Sequence, residues 1–485
     1  MTTARSSAVD TGTGRLSRQA WGVLLVLCGA LFLDALDVSM TGVALPSIRT
    51  DLDMSTSSLQ WVVSGYVLGF GGFLLLGGRA ADLLGRRRMF LISLGVFAVA
   101  SGLGGLANDG ALLIATRFVK GVAAAFTAPA GLSIITTSFP EGPTRNKALA
   151  IYTATGATGF SLGLVFSGLL TELGWRWVFF FPAPIAMAAL LAAIRLVPDS
   201  GRPQRRVGGF DVAGAVIVTA AMLLLVFTVV EAPDVGWGAP RTLASLGGVG
   251  AMLAAFVVIE RRSVAPLVRL GVLRSGALVR ANLGAMALFG GWVGVLFIAT
   301  LYMQQLRGWS ALETGLAVFP SGVVVVAVTP RVPSLVERFG VRPVILAGLL
   351  SHAAAYALFL SIGVDSSYAS VMLPTFLLVG LGFGLAFGPL NIAATNGVAP
   401  HEQGLASGLV TSSFQIGGAL VLAVVTAVNN ANAGAGASPQ SLLEGFHPAI
   451  AVSLVAALLG AGATVVSVRV RGPAPEPVHA EQGGR

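Results

Sequence analysis

From Trp21 to about residue 468 the chain is a near-continuous succession of apolar runs of roughly twenty residues, separated by short polar turns. A run of that length crosses the ~30 Å hydrocarbon core of a bilayer as an α-helix rising about 1.5 Å per residue. Inside lipid every backbone polar group must be paired, which leaves helices and closed barrels as the spanning structures. Barrel strands would show as segments of about ten residues alternating polar and apolar, and the uninterrupted apolar runs do not fit that pattern. With 55% apolar and 11% charged residues over 485 positions, the chain holds more apolar surface than a soluble core can hide. The expected fold class is an all-α, polytopic membrane protein.

Fourteen spans are expected, at about 21–46, 58–77, 89–107, 111–136, 148–170, 177–197, 211–231, 242–260, 280–303, 313–333, 343–362, 371–396, 405–428 and 448–468. The first run is longer than the roughly 7–15 apolar residues of a secretory signal and lacks a cleavage site followed by a soluble domain, so it reads as a retained helix. The Ser/Thr/Gly-rich residues 1–19 read as a disordered tail. Residues 20–197 form a first six-helix bundle. Pro198-Asp199-Ser200-Gly201-Arg202-Pro203-Gln204-Arg205-Arg206 opens a two-helix insert with basic linkers over 198–275. Residues 276–470 make the second bundle, and 471–485 a Pro-rich tail.

Orientation follows from the basic residues. Four arginines fall within a dozen residues in Gly78-Arg79-Ala80-Ala81-Asp82-Leu83-Leu84-Gly85-Arg86-Arg87-Arg88, which places that loop in the cytoplasm. Of the 30 Lys and Arg, only Arg49, Arg176, Arg241 and Arg307 then fall outside, while Arg117 and Lys120 lie within the fourth span. Both termini are expected in the cytoplasm, with the chain multi-pass in the cytoplasmic membrane. Glu337-Arg338-Phe339-Gly340-Val341-Arg342-Pro343 occupies the equivalent turn of the second bundle, and repeated halves with a site at their interface are a common transporter plan.

A net charge of +9 scattered through short loops reports topology and not a nucleic-acid surface. Cys28 is the sole cysteine, which excludes an internal disulfide or a Cys-based metal cluster. No G-x-x-x-x-G-K-[ST] loop is present, so a built-in ATPase is unsupported, and no nucleophile–base set or metal-ligand cluster suggests an enzyme. No cofactor or metal is expected.

The chemistry therefore rests on charges inside the membrane. Helix 1 carries Asp34 and Asp37 three residues apart on one face near mid-span. Burying each costs about 2.5–3.5 kcal/mol on insertion scales, so they face protein or a water-filled cavity, as a structural ion pair or as a functional site. Burial and a neighbouring cation pull a carboxyl's proton affinity in opposite directions, which is the physical basis for a proton-loading cycle. Helix 4 supplies cations at Arg117 and Lys120. Lys120 lies about nine residues below the outer end of helix 4 and Asp37 about nine below Pro46, so an Asp37–Lys120 pair is expected. Arg117 sits one turn nearer the outside, where snorkelling is the alternative. His352 is mid-helix, either protonatable or a hydrogen-bonded packing residue. Gln304, Asn391 and Gln415 line a cavity or serve as interhelical hydrogen-bond partners worth about 1 kcal/mol or less. Gly159 and Gly163 permit close helix approach, and Trp175-Arg176-Trp177 reads as an interfacial anchor.

These residues carry a resemblance. Gly78, Asp82, Gly85, Arg86 and Arg87 match the G-x-x-x-D-x-x-G-R-R loop between helices 2 and 3 of the major facilitator superfamily. Leu36-Asp37 to Ala44-Leu45-Pro46 resembles the L-D-x-T…A-L-P element of its fourteen-spanner drug:proton antiporter family. Leu59-Gln60-Trp61-Val62-Val63 to Tyr66, Arg117 with Gly121, Trp175 to Phe179, and Gly404 to Gly408 with Gln415-Ile416-Gly417-Gly418 are similar to further family segments. Lys120 replaces the usual glutamine, Gly42 the usual asparagine, and the helix-5 antiporter element survives as Gly159, Gly163 and Gly168 without its proline and one glycine.

The resemblance implies a multidrug or antibiotic exporter that exchanges amphipathic small molecules for protons by alternating access. It implies that Asp37, joined by the extra Asp34, carries the proton, that Arg117 and Lys120 tune it, and that the Asp82 loop latches the bundles on the cytoplasmic side. Gln60, Trp61, Gln304, Asn391 and Gln415 would contribute to the substrate cavity. Partners are a small-molecule substrate, protons and membrane lipids, with the chain acting as a monomer and no nucleic acid involved. The alternatives are an exporter dedicated to one endogenous metabolite, or a membrane sensor that moves nothing.

Overall fold

The computed structural model describes residues 17–139, 143–198, 211–263, 271, 275–396, 403–432 and 438–465. The expected tails at 1–16 and 466–485 and most of the basic linkers at 199–210 and 264–274 lie outside the described residues. The described chain is helical: α1 (Arg18–Asp51), α2 (Thr56–Leu84), α3 (Arg86–Gly105), α4 (Gly110–Ser138), α5 (Pro143–Leu173), α6 (Trp177–Leu196), α7 (Val212–Val235), α8 (Pro240–Arg262), α9 (Gly276–Leu306), α10 (Ala311–Phe339), α11 (Val341–Phe359), α12 (Tyr368–Thr395), α13 (Gln403–Asn432) and α14 (Pro439–Val465). Among the described residues thirteen helices are long and apolar enough to cross a membrane. The remaining one, α2, has a shorter apolar stretch at Trp61–Leu74. The chain is an all-α, multi-pass membrane protein.

Most helices run past the apolar windows that predict them, because hydropathy registers only the lipid-facing part while the hydrogen-bond ladder continues into the polar ends. Caps fix where they stop. Ser17 accepts from the Ala20 N–H at 3.1 Å to start α1, and Asp109 Oδ1 accepts from Leu112 N–H at 2.8 Å to start α4. At α10 the Glu313 N–H donates to Ser310 Oγ at 3.1 Å while the Ser310 N–H donates to Glu313 Oε2 at 2.7 Å, a reciprocal capping box. The repeat visible in the sequence also has a backbone form. Gly85 (φ 98°) alone separates α2 from α3, and Gly340 (φ 85°) alone separates α10 from α11. A left-handed φ at a one-residue turn is open to glycine at no steric cost.

Helix α1 packs on α5 and α6, α2 on α4, and α3 on α4 and α6; later in the chain α9 packs on α12, α13 and α14, and α11 on α12 and α14. Between these sets the contacts run through α5 with α10, α2 with α13, and α1 with α10, while α7 lies against α8, α2 and α13. Small residues set these distances. Gly69 and Gly121 bring α2 and α4 together so closely that a Cβ on Gly121 would overlap the Tyr66 carbonyl oxygen. Gly159 abuts Phe32, Gly163 abuts Leu36 and Ser39, and Gly168 abuts Leu312, so α5 is clasped between α1 and α10. Ser167 Oγ donates to Met40 O at 2.5 Å across the α1–α5 contact.

Gly121→Ala is therefore expected to destabilise the protein by at least the ~1–3 kcal/mol of an overpacked core, seen as a lower melting temperature and loss of a monodisperse peak in detergent. Gly42→Ala, where an added Cβ meets nothing within 4 Å, is the control and should melt with the wild type.

The Trp175-Arg176-Trp177 turn differs from the expected lipid anchor. Trp175 is buried and its Nε1 donates to Asp51 Oδ2 at 2.9 Å; Arg176 reaches the same oxygen at 2.7 Å and Ala107 O at 3.3 Å. The turn ties the ends of α1 and α3 to the α5–α6 connection, and only Trp177, half exposed, remains for a lipid interface.

Candidate functional site: a buried charge cluster on α1 and α4

The α2–α4 contact through Gly69 and Gly121 carries the polar face of α4 inward, and α1 meets it with its two carboxylates. Asp37 is fully buried; Arg117 Nη1 donates to its Oδ2 and Lys120 Nζ to its Oδ1. Arg117 (1% exposed) and Lys120 (0% exposed) are spaced three residues apart, so both project from one side of α4. Each cation is held by more than the carboxylate. Arg117 Nε donates to Val62 O at 3.0 Å and its guanidinium lies 4.7 Å from the Tyr66 ring centre. Lys120 Nζ donates to Ser101 Oγ at 3.0 Å, Ser101 donates onward to Phe179 O at 2.8 Å, and the ammonium faces the Phe97 ring at 4.8 Å. Arg117 thus points into protein, against the snorkelling alternative.

Asp34 sits one turn toward the N-terminus of α1, 8% exposed, with Oδ2 buried and without a hydrogen-bond partner among the described residues. The titratable groups that interact with it are Asp37 on its own helix, Lys120 on α4, Tyr66 on α2 and Tyr152 on α5. Two carboxylates and two cations make a cluster that is neutral when all four are ionised. Asp37 is saturated by its cations; Asp34 is not.

The other residues singled out by sequence are dispersed. In the gate loop, Gly85 makes the turn, Arg86 Nη1 donates to Ser133 O on α4 at 3.4 Å, and Arg87 Nη2 donates to Ile194 O on α6 at 2.6 Å. A Cβ on Gly78 would sit 3.8 Å from Pro129. Asp82 belongs to α2, with its side chain outside the described residues, as is that of Gln60. Trp61 pairs with Phe227 of α7 at 5.5 Å between ring centres. Gln304 lies in the π-helical last turn of α9 with its Nε2 buried and without a hydrogen-bond partner among the described residues. Asn391 donates to Phe387 O of its own helix at 2.8 Å, and Gln415 lies on the α2–α13 contact beside Gly71. Among the described side chains, Trp61, Gln304, Asn391 and Gln415 share no hydrogen bond or ring contact. His352 is fully buried between Val379 O, 3.0 Å from Nε2, and the Tyr356 hydroxyl, 3.0 Å from Nδ1. With both ring nitrogens occupied it fits the packing alternative.

What sequence reasoning missed is aromatic. Phe289, Trp292, Phe383, Phe387 and Phe414 form a closed circuit of ring contacts, and Phe160 of α5 touches it. The sequence signals are the i, i+4 pair Phe383 and Phe387 and the i, i+3 pair Phe289 and Trp292, which look like ordinary apolar helix surface.

Comparison with known proteins agrees with this architecture. The sequence profile of the Major Facilitator Superfamily matches residues 27–422. The chain is 38% identical over 441 residues to the puromycin resistance protein pur8 of Streptomyces alboniger, covering 88% of this chain and 86% of that one. It is 39% identical over 463 residues to the cephamycin export protein CmcT of Amycolatopsis lactamdurans, covering 94% of each. Among solved structures, the POT family transporter PepTSo superposes with a TM-score of 0.66 at 15% identity, covering 93% of this chain and 98% of that one, which is a likeness of fold.

Proposed function

Because this chain belongs to the Major Facilitator Superfamily, we propose that it exports antibiotics or other amphipathic small molecules across the cytoplasmic membrane in exchange for protons. The observation that carries this reading is near full-length similarity to proteins of antibiotic resistance and export. The architecture we propose is that of the fourteen-spanner drug:proton antiporters: a bundle over 20–197, a two-helix insert within 198–275, a second bundle over 276–470, α2 spanning like the rest, and both termini cytoplasmic. The chain works as a monomer.

In the cycle, Asp34 exchanges the proton and Asp37 holds Arg117 and Lys120. The support is geometric: Asp37 has a cation on each oxygen, while Asp34 keeps a buried oxygen unpaired. Protonating Asp34 leaves the cluster one positive charge out of balance, and losing that proton restores neutrality. A substrate that enters or leaves as the balance changes is thereby linked to the proton.

We read this conformation as open to the cytoplasm. One apolar cluster joins Val43 and Leu164 to Tyr302, Ala317 and Tyr356 near the ends we assign to the outside. At the other end the apolar clusters draw on one set of helices each. The Gly78-Asp82-Gly85-Arg86-Arg87 loop latches the bundles on the cytoplasmic side, where Arg86 also reaches Ser133 O of α4 and Arg87 Ile194 O of α6. Gly159, Gly163 and Gly168 let α5 slide between α1 and α10 as the state changes. Gln60, Trp61, Gln304, Asn391 and Gln415 are secondary contributors to the cavity.

The test is efflux of a fluorescent drug from proteoliposomes under an imposed pH gradient. Transport that stops when the gradient is collapsed supports the reading; binding without gradient-driven flux would make the protein a sensor. A relative whose name specifies export of cephamycin favours a second reading, an exporter dedicated to one compound. Transport of several unrelated drugs would exclude it.

A further inference from the structure

The aromatic circuit lies inside the protein and has no role in the charge cluster. Successive ring centres are 5.5 Å apart from Trp292 to Phe383, 5.2 Å to Phe387, 4.9 Å to Phe414, 6.3 Å to Phe289 and 5.3 Å back to Trp292. Phe383, Phe387 and Phe414 stack near-parallel, at 14° and 26° between planes. Four of the five rings are only half-buried, Phe414 alone being buried. Their helices are already committed elsewhere. Gly284 of α9 lies against Leu390, Gly290 against Gly417, Gly291 against Tyr356 and Ser453, and Gly294 against Val425. At about 100° per residue, Trp292 falls on the face opposite those glycine contacts with α13 and α14, while the Phe289 ring beside it lies along Gly418 of α13. That face looks toward α5, where Phe160 places its ring 4.4 Å from Trp292, tilted by 60°.

Two further features bear on what this surface does. An aromatic ring from another helix already seats on it, which shows the geometry it accepts. Phe160 also enters level with the charge cluster, because its neighbours Gly159 and Gly163 lie against Phe32 and against Leu36 and Ser39, the turns of α1 that bracket Asp34 and Asp37.

We propose that Phe289, Trp292, Phe383, Phe387 and Phe414 form a stacking platform for a planar aromatic group of the exported molecule, with Phe160 closing over its edge. The proposal rests on the export reading and names its substrate class. Aromatic faces bind planar π systems in offset or edge-on geometries worth more than their buried area alone. The platform presents no charge, so a cationic part of the substrate projects toward Asp34, the α1 carboxylate that Arg117 and Lys120 leave unpaired. Contact of Phe160 with the occupied platform makes the α5 position depend on whether a substrate is bound.

The experiment is an ethidium titration by fluorescence anisotropy on the full chain in lipid nanodiscs, without a pH gradient and against empty nanodiscs. Wild type should bind, and Trp292→Leu and Phe387→Leu, which keep bulk but remove the π face, should each weaken binding about tenfold. Trp309→Leu, which disrupts a ring pair with Tyr368 away from the platform, should bind as wild type. Unchanged affinity in both platform variants, or no ethidium binding by wild type, would overturn the proposal. Should the leucine variants fail to fold, Trp292→Phe decides: ethidium-induced quenching of tryptophan fluorescence should be lost, and undiminished quenching would also overturn it. Bound ethidium that a pH gradient does not move in proteoliposomes would refute export and leave the platform standing.

Discussion

Asp34→Asn is expected to reduce pH-gradient-driven transport at least tenfold while the protein stays folded and still binds its substrate. Asn matches the size of the aspartate but exchanges no proton, and the oxygen it replaces has no hydrogen-bond donor to lose. Substitution leaves Asp37 facing Arg117 and Lys120 alone, which fixes the cluster in the unbalanced charge state that protonated Asp34 creates. Coupled flux should therefore fall while downhill exchange of substrate, needing no proton turnover, persists. The measurement is a paired one on reconstituted protein, uptake under a pH gradient against counterflow at equal pH. Wild-type gradient-driven transport in Asp34→Asn would return the proton to Asp37.

Asp37→Ala should have an effect of a different kind, on the existence of the folded protein. Asp37 is the carboxylate acceptor of two buried cations, and removing one partner of a buried pair costs about 3–5 kcal/mol because a charge is left uncompensated. Here two would be left with only Asp34 nearby. The expected result is a sharp fall in yield of monodisperse protein from detergent-extracted membranes. Adding Lys120→Gln in the same chain removes one stranded charge and should recover a good part of that yield. If the double variant is no better than the single one, the cost lies in lost packing around Asp37 and not in unpaired charge. Lys120→Gln alone should fold well, since Ser101 retains its bond to Phe179 O.

Much of the fold was legible from composition because lipid imposes a local requirement. Each span had to be long, apolar and internally hydrogen-bonded, and those demands are met residue by residue. The Asp37–Lys120 contact was legible for a related reason: two helices crossing the same slab share a depth scale, so counting residues from their ends aligned the two side chains before any packing was known. The role of Trp175 was not legible. A tryptophan beside a terminal charge suits a lipid interface, and only the position of Asp51 turned it inward.

Sequence by itself thus determined the helical class, thirteen of the fourteen spans, the repeat around Gly85 and Gly340, and the matched depth of Asp37 and Lys120. Tertiary structure alone decided that both cations fall on Asp37 and leave Asp34 with an unpaired oxygen, because that choice depends on rotations of α1 and α4 by fractions of a turn. It alone brought aromatic residues from α5, α9, α12 and α13 into one circuit. In the sequence each is one more apolar side chain among many, equally suited to lipid or to core. Which way it faces is set by the glycine contacts that fix how every helix is turned against its neighbours.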